Sequence, residues 1–133
     1  MVDTLWIIGA IFLGMHGLVH LMGFFAYWPL MVIPDLAYKT TILGGQMDLG
    51  VLGMRAFSIL WLIPSLGFLA IAAAMIRRWP RWQSVLLTIT LISCIVTALD
   101  WTVAFRGTLV DVAILIGFLI VSHSTRLIPV RGG

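Results

Sequence analysis

Residues 56–76 read AFSILWLIPSLGFLAIAAAMI and run straight into RRWPRW at 77–82. No charge interrupts those 21 positions. An α-helix rises about 1.5 Å per residue, so some 20 apolar residues cross the roughly 30 Å of a bilayer's hydrocarbon. Arg77, Arg78 and Arg81, interleaved with Trp79 and Trp82, supply the charged stop and the aromatic interface anchors expected at the end of such a span. Pro64 removes one backbone hydrogen bond within it and predicts a kink.

Working outward, the same pattern recurs three times. Residues 5–27 are uncharged and end in Tyr27-Trp28. Residues 83–105 carry Asp100 near their end, and residues 108–125 carry Asp111 one turn in, with Arg106-Gly107 predicted as a tight hairpin between them. The expected fold is all-α: a polytopic membrane protein, a four-transmembrane-helix bundle in one domain over 1–133, with helices at about 5–27, 56–76, 83–105 and 108–125. Residues 28–55 are too apolar for a solvated loop and are punctuated by Gly44, Gly45, Gly50 and Gly53. They predict a segment lying on the membrane surface or folded over the bundle.

Composition agrees with lipid as the solvent. The 133 residues are 62% hydrophobic and 10% charged, with a mean hydropathy of +1.14. A bundle uses nearly all of them and leaves no room for a soluble catalytic domain. The net charge of +3 is scattered and forms no phosphate-tracking stripe, so nucleic acid is not an expected partner; the lipid bilayer and other integral membrane proteins are. Cys94, the lone cysteine, forms no internal disulfide. The first apolar run has Asp3 in place of a basic leader and no small-residue cleavage site after it, which reads as a retained helix.

Basic residues set the expected orientation. With four spans, both termini and the second connection share a side that carries five (Arg77, Arg78, Arg81, Arg126 and Arg131), against three (Lys39, Arg55 and Arg106) on the other. The expectation is a plasma-membrane protein with both termini cytoplasmic.

Depth then gathers the unusual residues. Counted along the helices, His20 lies about 10 Å below the outer interface with His16 a turn deeper, Asp100 about 8 Å and Asp111 about 5 Å in. His16 and His20 share a stripe with Gly9, Leu13, Gly23 and Tyr27; Thr90, Ser93, Thr97, Asp100 and Ala104 form another. Ionisable groups at such depth face a bundle interior and are paired. Two readings follow. In one, His16, His20, Asp100 and Asp111 ligate a metal; His-Gly-Leu-Val-His lacks a zinc-protease glutamate, but its spacing of four puts two imidazoles on one face. In the other, which sequence favours, the histidines bridge helices by hydrogen bonds, and Asp100 and Asp111 form structural ion pairs with Arg106 and Arg55. A haem or pigment on one histidine is less favoured, because His123 lies near the opposite end.

The stretch His16-Gly17-Leu18-Val19-His20-Leu21-Met22-Gly23-Phe24, with Leu60-Trp61-Leu62, Asp100, Arg106-Gly107-Thr108 and Asp111-Val112-Ala113-Ile114-Leu115, resembles an uncharacterised group of small bacterial four-helix membrane proteins. The resemblance covers most of the chain and implies the four-helix fold. It implies no activity; that group carries Asn at the position of Asp111 and a shorter first loop.

The leading functional expectation is an accessory or scaffold subunit within a larger membrane assembly, respiratory or photosynthetic. The alternative is a small membrane enzyme or redox carrier with a metal or haem site built on the His and Asp layer. A proton- or ion-conducting bundle using those residues ranks third.

Overall fold

A computed structural model describes residues 2–126. Within them four helices are long and apolar enough to cross a membrane: α1 (Val2–Tyr27), α2 (Gly50–Ile76), α3 (Trp82–Leu99) and α4 (Trp101–Arg126). The only sheet among the described residues is a two-residue hairpin, β1 (Thr41–Ile42) and β2 (Met47–Asp48), antiparallel with Thr41 opposite Asp48. The fold is an all-α four-helix bundle. Its helices pack in chain order, and α1 returns to meet α4 through His16 and Asp111.

Three boundaries differ from the sequence expectation for one physical reason. Arg55 and Arg106 read as charges at the ends of spans, whereas α2 begins at Gly50 and α4 at Trp101, so both arginines lie inside helices on exposed faces. Long cationic side chains near a helix end reach the interface without ending the helix. The predicted Arg106-Gly107 hairpin is therefore absent. The chain reverses at a single residue, Asp100, between Leu99 and Trp101, with φ −112° and ψ 32°. Gly107 has another use: a Cβ there would stand 3.3 Å from Thr97 Cγ2, so glycine lets α4 lie close on α3. At 18 residues, α3 rises roughly 27 Å, just about the thickness of the hydrocarbon.

The connection between α1 and α2 folds over one end of the bundle. Ile33 and Ile42 are buried in a cluster with Tyr27, Met54, Phe57 and Trp61. The hairpin turn, Leu43–Gly45, has Gly44 at φ 68° and Gly45 at φ 89°, conformations open to glycine at little cost. At its exit Asp48 Oδ1 accepts the Gly50 N–H at 2.9 Å, which starts α2 and holds the Asp48 carboxyl below the usual carboxylate range.

A second apolar cluster, built on Leu13, Phe68, Ile71, Met75 and Leu86, fills the opposite end. There Trp6 donates to the Met75 carbonyl at 2.7 Å and meets Trp82 edge to face, with Arg78 over its ring. Between the two clusters Gly17 and Gly23 leave room for α2 to pack on α1. A Cβ on Gly17 would come within 2.8 Å of the Ser65 carbonyl oxygen, and Gly23 lies directly under the Trp61 indole. Gly23 thus joins helices within the chain. Ile8, Phe12 and Val19, on the other side of α1, are exposed as the stripe implies.

Candidate metal centre

Midway between the apolar clusters the bundle is polar. On α1, His16 and His20 sit one turn apart and turn the same face inward; on α3, Ser93 and Thr97 do likewise; α4 supplies Asp111. All five are buried, Ser93, Thr97 and Asp111 completely. His16 Nε2 lies 2.8 Å from Asp111 Oδ1 and 3.2 Å from His20 Nε2, and His20 Nε2 lies 2.8 Å from Ser93 Oγ. Ser93 donates its hydroxyl proton to Asp111 Oδ2 at 2.6 Å, while Thr97 donates to the Ser93 carbonyl at 2.9 Å and stands 3.4 Å from the same Oδ2. Phe68 packs against both imidazoles, with ring centroids 4.8 and 5.9 Å away.

One ligand atom from each of His16, His20 and Asp111 falls within a sphere where all pairwise distances are under 4.8 Å. Two ligands at about 2.0–2.1 Å from an ion stand roughly 3 Å apart, the spacing that His16 Nε2 keeps from both Asp111 Oδ1 and His20 Nε2. Asp111 would keep its second oxygen on Ser93, the kind of outer contact that fixes a ligating carboxylate.

Asp100, the fourth residue expected in this layer, stands apart from it. It belongs to a second polar cluster nearer the loop, where Tyr27 donates its hydroxyl to Asp100 Oδ2 and Lys39 donates to Oδ1 at 2.5 Å. Lys39 also reaches Thr102 Oγ1 at 3.4 Å. The expected ion pairs of Asp100 and Asp111 with Arg106 and Arg55 do not form: the salt bridges among the described residues are His16–Asp111 and Lys39–Asp100. Arg55 and Arg106 point outward because their helices begin earlier, and the Arg106 guanidinium lies over Phe105. His123 is exposed near the far end of α4, apart from the other two histidines. Arg131 lies outside the described residues.

Sequence reasoning placed Ser93 and Thr97 on the inward stripe without giving them a partner, and it missed Lys39 as the counter-charge of Asp100. The available signal was that Lys39 is the only cation between Trp28 and Arg55, in a segment too apolar to stay in water. Trp61 was also missed. Its indole N–H, His20 Nδ1 and Ser65 Oγ are buried with no hydrogen-bond partner among the described residues. His20 and Trp61 line a cavity of about 240 Å³ that reaches past Gly23 and Thr97 to Asp35 and Arg106. Compared with protein-family models, with curated proteins and with solved structures, the chain matches none.

Proposed function

We propose that this is a membrane metal-binding protein in which His16, His20 and Asp111 hold a divalent transition-metal ion beside the cavity. The observation that carries it is the convergence of two imidazole nitrogens and a carboxylate oxygen, all buried, from two helices. Proton counting favours a cation there. Ser93 has given its proton to Asp111, so toward His20 Nε2 it only accepts. Were His20 to donate to Ser93 and His16 to Asp111, both Nε2 atoms would carry protons while facing each other at 3.2 Å. A cation takes both lone pairs and removes that conflict. Two histidines and one carboxylate suit zinc or non-haem iron(II) and leave coordination positions open, as sites that act on a ligand do.

Protein extracted in mild detergent should carry one metal ion per chain by elemental analysis, and His16→Ala and His20→Ala should each lose it. Folded, metal-free wild-type protein after growth in metal-replete medium would refute the reading.

A subunit role is favoured by a different observation. Far less of the apolar stretch of α4 is buried than of α2, so much of α4 is left open to lipid or to another membrane protein. A larger complex in the same extracts, seen by sizing, supports that role, and a partner-free monomer in native-like lipid rejects it.

We further infer the plasma membrane as the location, with both termini cytoplasmic, from the basic residues around residues 77–81. With Cys94 replaced, a cysteine at position 37, an exposed position beside Lys39, should be labelled from outside the cell and one at position 81 should not; the reverse pattern inverts the orientation.

A further inference from the structure

We propose that the seam between α1 and α4, at the end of the bundle that carries Arg77, Arg78 and Arg81, binds an anionic glycerophospholipid, with an acyl chain in an apolar groove and the phosphate against the arginines. The two helices meet at His16 and Asp111. Between that contact and the second connection they flank a groove of about 250 Å³. Gly9 and Phe12 form one lip, Gly117 and Phe118 the other, and the buried side chains of Met75 and Leu86 the floor. Phe12 and Gly117 are exposed, so the groove opens sideways on the flank that the apolar spans present to hydrocarbon. Glycine keeps it open. A Cβ on Gly9 would stand 3.4 Å from Met75 Cε, and one on Gly117 would meet nothing within 4 Å.

Charge and polarity along the groove select the occupant. Met75 and Trp82, both in its lining, bracket the connection that holds the three arginines. Arg77 and Arg81 are exposed there, and Arg78 lies over the ring of Trp6, which meets Trp82 edge to face. Asp3 is the one acidic residue at this end of the chain's helices, so the excess is positive and attracts anionic lipid. Gln83 and Ser122 line the groove at its end next to that connection, and the rest of the lining is apolar. Cations, then neutral polar groups, then hydrocarbon is the order of phosphate, ester and acyl chain along a phospholipid, and apolar burial and charge attraction add in holding it. A zwitterionic lipid offers the same chain but brings its own cation to the arginines. Inorganic phosphate has nothing to place in the groove.

The test is native mass spectrometry of the purified protein in mild detergent with added phosphatidylglycerol, against phosphatidylcholine with the same acyl chains. A single phosphatidylglycerol per chain, retained at concentrations where phosphatidylcholine is lost, is the expected result. Arg77→Gln with Arg81→Gln should weaken phosphatidylglycerol about thirtyfold and bring it near phosphatidylcholine, since each basic residue at a membrane surface contributes about a factor of five. Gly117→Phe, at an exposed position with open space around it, should fill the groove and abolish binding while the melting temperature holds. Equal binding of the two lipids by wild-type protein overturns the proposal without any variant. So does phosphatidylglycerol binding that survives Gly117→Phe, which would put the lipid on the arginines alone, or that survives the loss of both arginines. A second protein seated in the groove, seen as a complex that takes up no lipid, overturns it as well. The groove shares no residue with the metal centre, so failure here leaves the metal reading standing, and metal-free protein leaves the lipid reading standing.

Discussion

Asp111→Ala is expected to empty the proposed metal centre and to cost about 3–5 kcal/mol of stability in detergent, the usual penalty for removing one partner from a buried, hydrogen-bonded charged group's network. The size follows from what the carboxylate satisfies. It is fully buried, takes the Ser93 hydroxyl proton and faces His16 Nε2, with Thr97 in reach, so its loss strands groups on two other helices where no water replaces it. Asp111→Asn keeps the volume and an acceptor for Ser93 but removes the charge; metal should go while much of the stability stays. The double variant His16→Leu with Asp111→Leu separates structure from chemistry. Stability should recover, because no polar pair is left half-made, and metal should remain absent. Val112→Ala, one residue along on an exposed face, is the control and should change stability by about 0.5 kcal/mol or less. Thermal melting with elemental analysis on the same samples decides the matter. An Asp111→Ala protein that melts like wild type and keeps its metal would rule the site out.

Asp100→Ala should have the next largest effect and leave the metal in place. Its carboxylate is fully buried and holds Tyr27 from α1 and Lys39 from the first connection at the corner between α3 and α4. Removing it releases that connection from the bundle end. The cost should lie near the low end of the range, about 3 kcal/mol, because the Lys39 side chain is already 24% exposed and can swing out to water while Tyr27 cannot. Replacing Lys39 by methionine in the same protein should recover part of the loss. Replacing Arg106 instead should recover none, which distinguishes the observed partner from the one sequence suggested. Limited proteolysis within residues 28–49, faster in Asp100→Ala and slowed again in the double variant, provides the readout. Equal cleavage in all of them would mean that Asp100 does not hold the connection.

Number and type of helices were legible because hydropathy in a membrane protein reports the solvent directly, one long uncharged run per span. The inward stripes were legible for a similar reason: His16 and His20 at a spacing of four, and Ser93, Thr97 and Asp100 at spacings of four and three, have one burial-compatible face each. Helix ends were not. A charge such as Arg55 or Arg106 marks where the membrane ends, which is a different place from where the hydrogen-bond ladder ends, and Gly107 reads as a turn residue when its use is close packing against Thr97. The pairing of Asp100 failed for the same cause. With the corner placed at Arg106-Gly107, the nearest cation in sequence looked like the partner, and the connection that brings Lys39 back across 61 positions could not be read from local spacing.

The corner at Asp100 also fixes how the chain can vary in length. Because α3 and α4 share a single connecting residue, Ser93 and Asp111 meet by residue counting: each lies a set number of positions from the corner along its own helix. Adding or deleting one residue on either arm between them turns the far part of that helix by about 100° and carries it about 1.5 Å along the axis, which takes the carboxylate away from His16. The stretch from Ser93 to Asp111 therefore tolerates substitution far more readily than insertion. Residues 28–49 are under no such arithmetic, since Lys39 reaches its partner from a connection whose hairpin can lengthen at the exposed Leu43–Gly45 turn without moving a helix.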